Sequence, residues 1–295
     1  MSIRNIKKAS TLGSAPLLRA YDKFLIDRAR SEAGHGSHWD RNLHPSMLSG
    51  CPTAAALQIL HLSVDHLLLD SRVLKIFALG HAIHELLQKD FAEAGLLKPT
   101  GDPDNPWAIE VPIEMQIRGK KVVGHADGII AEHVYGEEAV LEAKSINSMT
   151  LSKMPEPKPE HKIQASVYSK ALELGLIIYT YYGKNDSIVK EMPYRPTPGD
   201  WRVVESKADQ IINMVDAYEE RGEVPEPAYT AMSQPPCKTC HLKRICHSTM
   251  DREVFVRTCK EKFDAAQPVK SQKAKAKITL GKRNPPRRKP PTRRG

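Results

Sequence analysis

No stretch of this chain approaches the roughly 18 consecutive apolar residues that a membrane-spanning helix requires. The first ten residues carry Arg4, Lys7 and Lys8 but lead into no apolar segment of the kind that opens a secretion signal. The expectation is therefore a cytoplasmic protein with no membrane partner. Cysteine is scarce and odd in number: Cys51, Cys237, Cys240, Cys246 and Cys259 are all there are among 295 residues. Without an export signal, such a count argues against a disulfide framework and towards thiolate ligation. Apolar and charged residues are present in ordinary amounts, 40% and 27%, enough for most of the chain to fold as one enlarged domain with appendages.

Acidic residues are missing from one region. Between Lys270 and Gly295 stand 11 Lys or Arg and no Asp or Glu, so a net charge of +9 leaves the rest of the chain at about −2. This segment also holds Pro285, Pro286, Pro290 and Pro291 and almost nothing apolar, so it cannot offset its ordering entropy and is expected to be disordered. It reads either as a non-specific electrostatic arm for phosphates, weakened by salt, or as a solubilising terminus.

Cys237, Cys240 and Cys246 form C-x2-C-x5-C after Pro225, Pro227, Pro235 and Pro236, which favour a tight, non-helical loop. A fourth ligand must come from elsewhere. Cys51 is a better candidate than Cys259, because Cys51-Pro52 opens an apolar helical segment, Ala54 to Leu62, that can be held against the C-terminal loop. Four thiolates suit tetrahedral zinc or a 4Fe-4S cluster. Zinc sites usually come as two short pairs, so a lone cysteine about 185 positions upstream of a triplet favours the cluster; zinc and unligated core thiols are the alternatives. His241 and His247 could replace a sulfur, although exposed loop histidines are the plainer reading.

Along the chain, Leu17 to Arg30 has the periodicity of a packing helix. Ser71 to Ala94 predicts a longer helix that offers Val73, Phe77, Ile83, Leu86 and Leu87 for a buried face and is stopped by Gly95. Three strands follow, Trp107 to Ile117, Lys121 to Ala131 and Ala139 to Ile146, with Gly119 and Gly136 suited to the turns. Further strands are expected at Leu176 to Gly183 and Ser187 to Tyr194, and a long amphipathic helix at Trp201 to Glu220. The fold class is α/β, a mixed central sheet flanked by helices.

Polar residues interrupt two of these strands: Asp127 in one, Glu142 and Lys144 in the next. Side chains two apart on a strand share a face, so Glu142 and Lys144 point together. If Asp127 faces the same way, two carboxylates converge, which is costly unless a divalent cation neutralises them. A metal polarises a phosphodiester and lowers the pKa of a bound water, while a lysine stabilises developing charge. Taken alone, E-x-K is more often a salt-bridged surface strand.

The motifs resemble the PD-(D/E)XK superfamily, in its RecB-like branch that includes the CRISPR-associated iron-sulfur exonucleases. The resemblance spans roughly Ser46 to Ser248: an early cysteine-proline pair at Cys51-Pro52, G-x-x-x-H-E at Gly80 to Glu85, G-x-x-D at Gly124 to Asp127, E-x-K at Glu142 to Lys144, Q-x-x-x-Y at Gln164 and Tyr168, and the closing triplet Cys237, Cys240 and Cys246. It implies a restriction-endonuclease-like core and a single-stranded DNA exonuclease using Mg or Mn. His84, Asp127 and Glu142 are then the metal ligands, Lys144, Gln164 and Tyr168 their catalytic companions, and Cys51, Cys237, Cys240 and Cys246 the ligands of a structural 4Fe-4S cluster. For His84 the bland alternative is a satisfied core histidine; Glu85 reads equally well as a surface carboxylate, and His81, His125 and Lys162 have no assigned role.

The expected layout is a helical N-terminal region at 1–70, a nuclease core at 71–222, a cysteine-rich segment at 223–265 and a basic tail at 266–295. Family members work with protein partners in recombination, replication or CRISPR adaptation. The competing class is a non-catalytic DNA-binding or assembly module with a zinc-bound or cluster-bound cysteine set. RNA remains an alternative substrate, since nothing in the sequence reads a 2′-hydroxyl.

Overall fold

The computed structural model describes residues 16–32, 40–62, 71–234, 236–238, 240 and 242–247. The basic tail, His241 and Cys259 lie outside the described residues. Among the described residues, four helices precede the sheet: α1 (Pro16–Glu32), α2 (Pro45–Ser49), α3 (Pro52–Ile59) and α4 (Ser71–Glu93). Then come β1 (Ile109–Ile117), β2 (Lys120–Ile130), the short α5 (Glu132–Tyr135), β3 (Ala139–Ile146), α6 (Ser148–Ser152), α7 (Pro159–Leu172), β4 (Leu176–Gly183), β5 (Val189–Tyr194), α8 (Pro198–Arg221) and α9 (Lys243–Cys246).

Local chemistry sets these boundaries. Proline stands in the first turn of α2, α3, α7 and α8, where its missing N–H costs nothing. Thr197 and Asp200 close a capping box on α8. Gly95 follows α4 at φ 70, the left-handed conformation that ends a helix. Arg118 and Gly119 both have positive φ, 52 and 77, the backbone a tight hairpin turn needs to join β1 to β2. β5 starts at Val189 rather than Ser187, because Ser187 sits at φ 60 and donates its N–H to the Gly183 carbonyl, closing a turn.

The five strands lie in sequence order, with β3 and β4 parallel and every other neighbouring pair antiparallel. A parallel pair requires a crossover, and α6 with α7 supplies it. On one face the principal core gathers Val140, Tyr179 and Tyr181 of the sheet with Leu48, Leu57, Val167 and Ile211 of α2, α3, α7 and α8. On the other, Ile83 and Leu87 of α4 cover Ala143. The expected mixed α/β class is thus the observed one.

The buried face foreseen for α4 needs correction. Ile83 and Leu87 are buried, but Val73, Phe77 and Leu86 are exposed, Phe77 at 57%. Apolar periodicity marks a face without saying how far its cover extends, and only the second half of α4 lies over the sheet. The first half is joined to α1, through Lys75 to Asp22 at 2.5 Å and Lys75 above the Tyr21 ring. Among the described residues, no helix is long and apolar enough to cross a membrane.

Candidate functional site

The site lies where the sheet splits. β2 and β3 pair at Ile130↔Ala139, Ile129↔Val140 and Gly128↔Leu141, and the ladder then stops. The next rung would have set Asp127 opposite Glu142. Instead the Asp127 side chain takes over the missing pairing: its Oδ2 accepts a hydrogen bond from the Ala143 amide at 2.7 Å. A carboxylate thus replaces a backbone carbonyl, and the strands fork around it.

Two glycines permit this geometry. A Cβ on Gly128 would stand 3.0 Å from the Ala108 carbonyl oxygen, so a side chain there would push β2 away from its neighbour. A Cβ on Gly124 would meet Pro45 Cδ at 2.9 Å and approach Tyr168. The glycine of G-x-x-D therefore lets α2 seat directly on β2 beside the fork.

Glu142 is fully buried, 0% exposed, and its Oε2 has no hydrogen-bond partner. Its compensation is an ion pair between Oε1 and Lys144 Nζ, which confirms that the two side chains share a face. Burial pushes the Glu142 carboxyl up to about 7, against the pull of Lys144 and with a further push from Asp127. For Asp127, burial is outweighed by His84, Lys144 and the Ala143 amide, which hold its carboxyl below the usual range. Burial likewise opposes the charge on Lys144, but Glu142 and Asp127 raise its pKa. His84, half-buried on α4, brings Nδ1 to 3.7 Å from Asp127 Oδ1. The structure therefore brings His84, Asp127, Glu142 and Lys144 to one place.

From the crossover, Gln164 donates to the Tyr168 hydroxyl at 3.1 Å, one turn along α7. Tyr168 is buried, and burial and the Glu142 charge raise its pKa. Lys162 is engaged elsewhere, with Glu156 at 2.8 Å and over the Tyr194 ring, while Glu85, His81 and His125 are exposed.

Sequence reasoning missed three neighbours. His161 bonds the Tyr181 hydroxyl at 2.8 Å, and burial, Lys144 and Lys158 depress its pKa to about 3, so it stays neutral. Gln88, one turn after His84, donates to the Asp127 carbonyl at 2.8 Å and to Glu110 Oε1 at 2.9 Å. Glu110 sits in β1 at φ 48. The i, i+4 spacing of His84 and Gln88 was the available signal for one of them.

The cysteines occupy a second region. Cys237 is buried, Cys51, Cys240 and Cys246 are half-buried, and none of the four is joined in a disulfide. Burial raises the Cys237 pKa, with Cys51 adding to the shift, and Tyr229 is influenced by both. Thr53, in the first turn of α3, accepts from the Ala228 amide at 2.9 Å and donates to the Glu226 carbonyl at 2.7 Å, tying the start of α3 to the segment before the triplet. His247 is half-buried rather than exposed as its plainer reading had it, and its Nε2 has no hydrogen-bond partner. Among the described residues, no three His, Cys, Asp or Glu side chains are gathered tightly enough to hold an ion as they stand.

No protein-family model and no curated protein matches this chain. Among solved structures, SSO0001 is similar with a TM-score of 0.50 and 18% identity, over 76% of this chain and 95% of that one. LHK-Exo in complex with dAMP gives 0.41 and 13%, over 63% and 98% of the two chains. The alkaline exonuclease LHK-Exo from Laribacter hongkongensis gives 0.40 and 12%, over 62% and 94%. The likeness to SSO0001 is one of fold.

Proposed function

We propose that this chain is a divalent-metal-dependent nuclease of the RecB-like PD-(D/E)XK type, a hydrolase whose substrate is single-stranded DNA digested from an end. One observation carries the reading: a fully buried carboxylate, Glu142, paired with Lys144 at Oε1 and without a partner at Oε2, stands at a strand fork beside a second carboxylate. Burying such groups is costly unless a function retains them. Oxygen donors with one imidazole suit Mg or Mn, so His84, Asp127 and Glu142 would hold the ion. When bound, it supplies Lewis-acid polarisation of a phosphodiester and a water of lowered pKa.

The remaining residues have complementary tasks. Lys144, with its raised pKa, stays protonated and stabilises charge developing on the phosphate. Tyr168 and Gln164, bonded to each other, orient the strand or brace Lys144. Neutral His161 keeps a second cation away from Lys144. The preference for DNA, for single strands and for ends rests on the resemblance of the motifs.

Cys51, Cys237, Cys240 and Cys246 would hold a 4Fe-4S cluster of structural role. Cysteines at the start of α3 and on the C-terminal loop, with Thr53 joining those two segments, support this assignment. In this layout 1–70 and 223–265 meet through the cluster around a core at 71–222, with the basic tail at 266–295 as an arm for DNA. Anaerobically prepared protein should be brown, contain iron, and cleave end-labelled single-stranded DNA when Mn is added. Colourless protein with zinc and no cleavage would instead establish a DNA-binding or assembly module.

A further inference from the structure

We infer that Glu110 is a third carboxylate of the cation site, and that Gln88 is the positioning residue that holds it there. This rests on the metal-dependent reading above and assigns two residues that no motif contains.

Glu110 lies in β1 between Ile109 and Val111, which pair with Gly128 and Ala126, so it stands opposite Asp127. Its φ of 48 is left-handed, a conformation unfavourable for an L side chain and with no place in a regular strand. The twist puts its carboxylate within reach of α4, where Oε1 accepts from Gln88 Nε2 at 2.9 Å. The same nitrogen donates to the Asp127 carbonyl at 2.8 Å. Gln88 is only 5% exposed and lies one turn beyond His84 on the same helix face. A single buried amide thus fixes three things together: the helix carrying His84, the main chain of Asp127 and the carboxylate of Glu110.

Two further facts direct this arrangement at the fork. Glu110 is exposed on β1, and its charge acts on both Lys144 and Tyr168 of the fork. Glu142, fully buried, has its ion pair with Lys144 at Oε1 alone, and its Oε2 has no partner. A third negative charge there strengthens the hold on a divalent ion and does little for the fold.

The test is Mn binding by the full chain, read from the paramagnetic resonance of free Mn and from the Mn-induced rise in melting temperature. Glu110→Gln and Gln88→Met should each weaken Mn binding about tenfold, and the double variant no further than the weaker single one, because both act through one carboxylate. Glu110→Gly, which keeps the left-handed backbone without strain, should weaken binding equally and covers the case in which Glu110→Gln fails to fold. Unchanged Mn affinity in Glu110→Gln and Glu110→Gly, with binding lost in Glu142→Gln, would overturn this inference and leave the nuclease reading standing. Absence of Mn binding by the unaltered chain would overturn both.

Discussion

The strand fork and the cysteine-bearing corner are built by opposite means. At the fork the backbone does the placing: the ladder stops at Gly128↔Leu141, the Ala143 amide holds Asp127, and the alternation of β3 puts Glu142 beside Lys144. The charged groups are assembled by the sheet before any ligand arrives. At the corner the thiols come from positions about 185 apart, and a few hydrogen bonds, with Thr53 at their centre, join the segments that carry them. The first region stores electrostatic cost inside the frame of the sheet; the second, under the proposed cluster, would be closed by its ligand. Chemistry and stability should therefore separate when the two are perturbed.

The largest expected effect is on chemistry. Glu142→Ala should lower Mn-dependent cleavage by about a thousandfold or more, because a metal ligand contributes several kcal/mol to stabilising the reacting charge. An end-labelled DNA assay reads this, and retained cleavage would remove the fork from consideration as the active site. Next, Cys237→Ser should lose iron and destabilise the chain by several kcal/mol in denaturant titration, as expected for a clamp closing so long a path. Cleavage per folded molecule should persist; its complete loss would mean the two regions are one functional unit.

A smaller effect sharpens the contrast from the other side. Gly124→Ala forces a methyl group against Pro45 and should cost about 1–3 kcal/mol in melting experiments without changing iron content. Last comes pH. Because burial raises Glu142 to about 7 from an ordinary carboxylate value, the metal-free fold holds the proton more tightly than the unfolded chain does. Its contribution to stability is complete below about pH 4.5 and is lost as pH rises through about 7. Melting in chelator should show this decline, Glu142→Gln should remove it, and Cys237→Ser should leave it in place.

Much of the frame was legible in the sequence. β3 and β4 fall on the expected residues, Ala139–Ile146 and Leu176–Gly183, because each is a bounded apolar run with few readings other than a buried strand. Glu142 and Lys144 were legible as a pair because a strand repeats every two residues. The fork was not, since where a ladder stops depends on a side chain outcompeting a carbonyl. The backbone of Glu110 was equally hidden: with Glu114 it reads as the solvent-facing half of an alternating strand, and exposed it is, but nothing in its side chain announces a positive φ. Phe77 misled for a related reason, because a helix can keep its apolar stripe after the sheet beneath it has ended.

The bridge from Thr53 to Glu226 and Ala228 also sets a clock. Its two sides are 173 residues apart, and at about 5–20 residues per second a ribosome takes roughly 9–35 seconds to make that span. For that interval Thr53 has no lasting partner, and Cys51, next to it, waits as a reduced thiol. Leu43, by contrast, can pair with Val122 as soon as β2 emerges. The nascent chain can thus anchor its N-terminal helices to the sheet early, while the bridge to Thr53 closes only after Ala228 has been made.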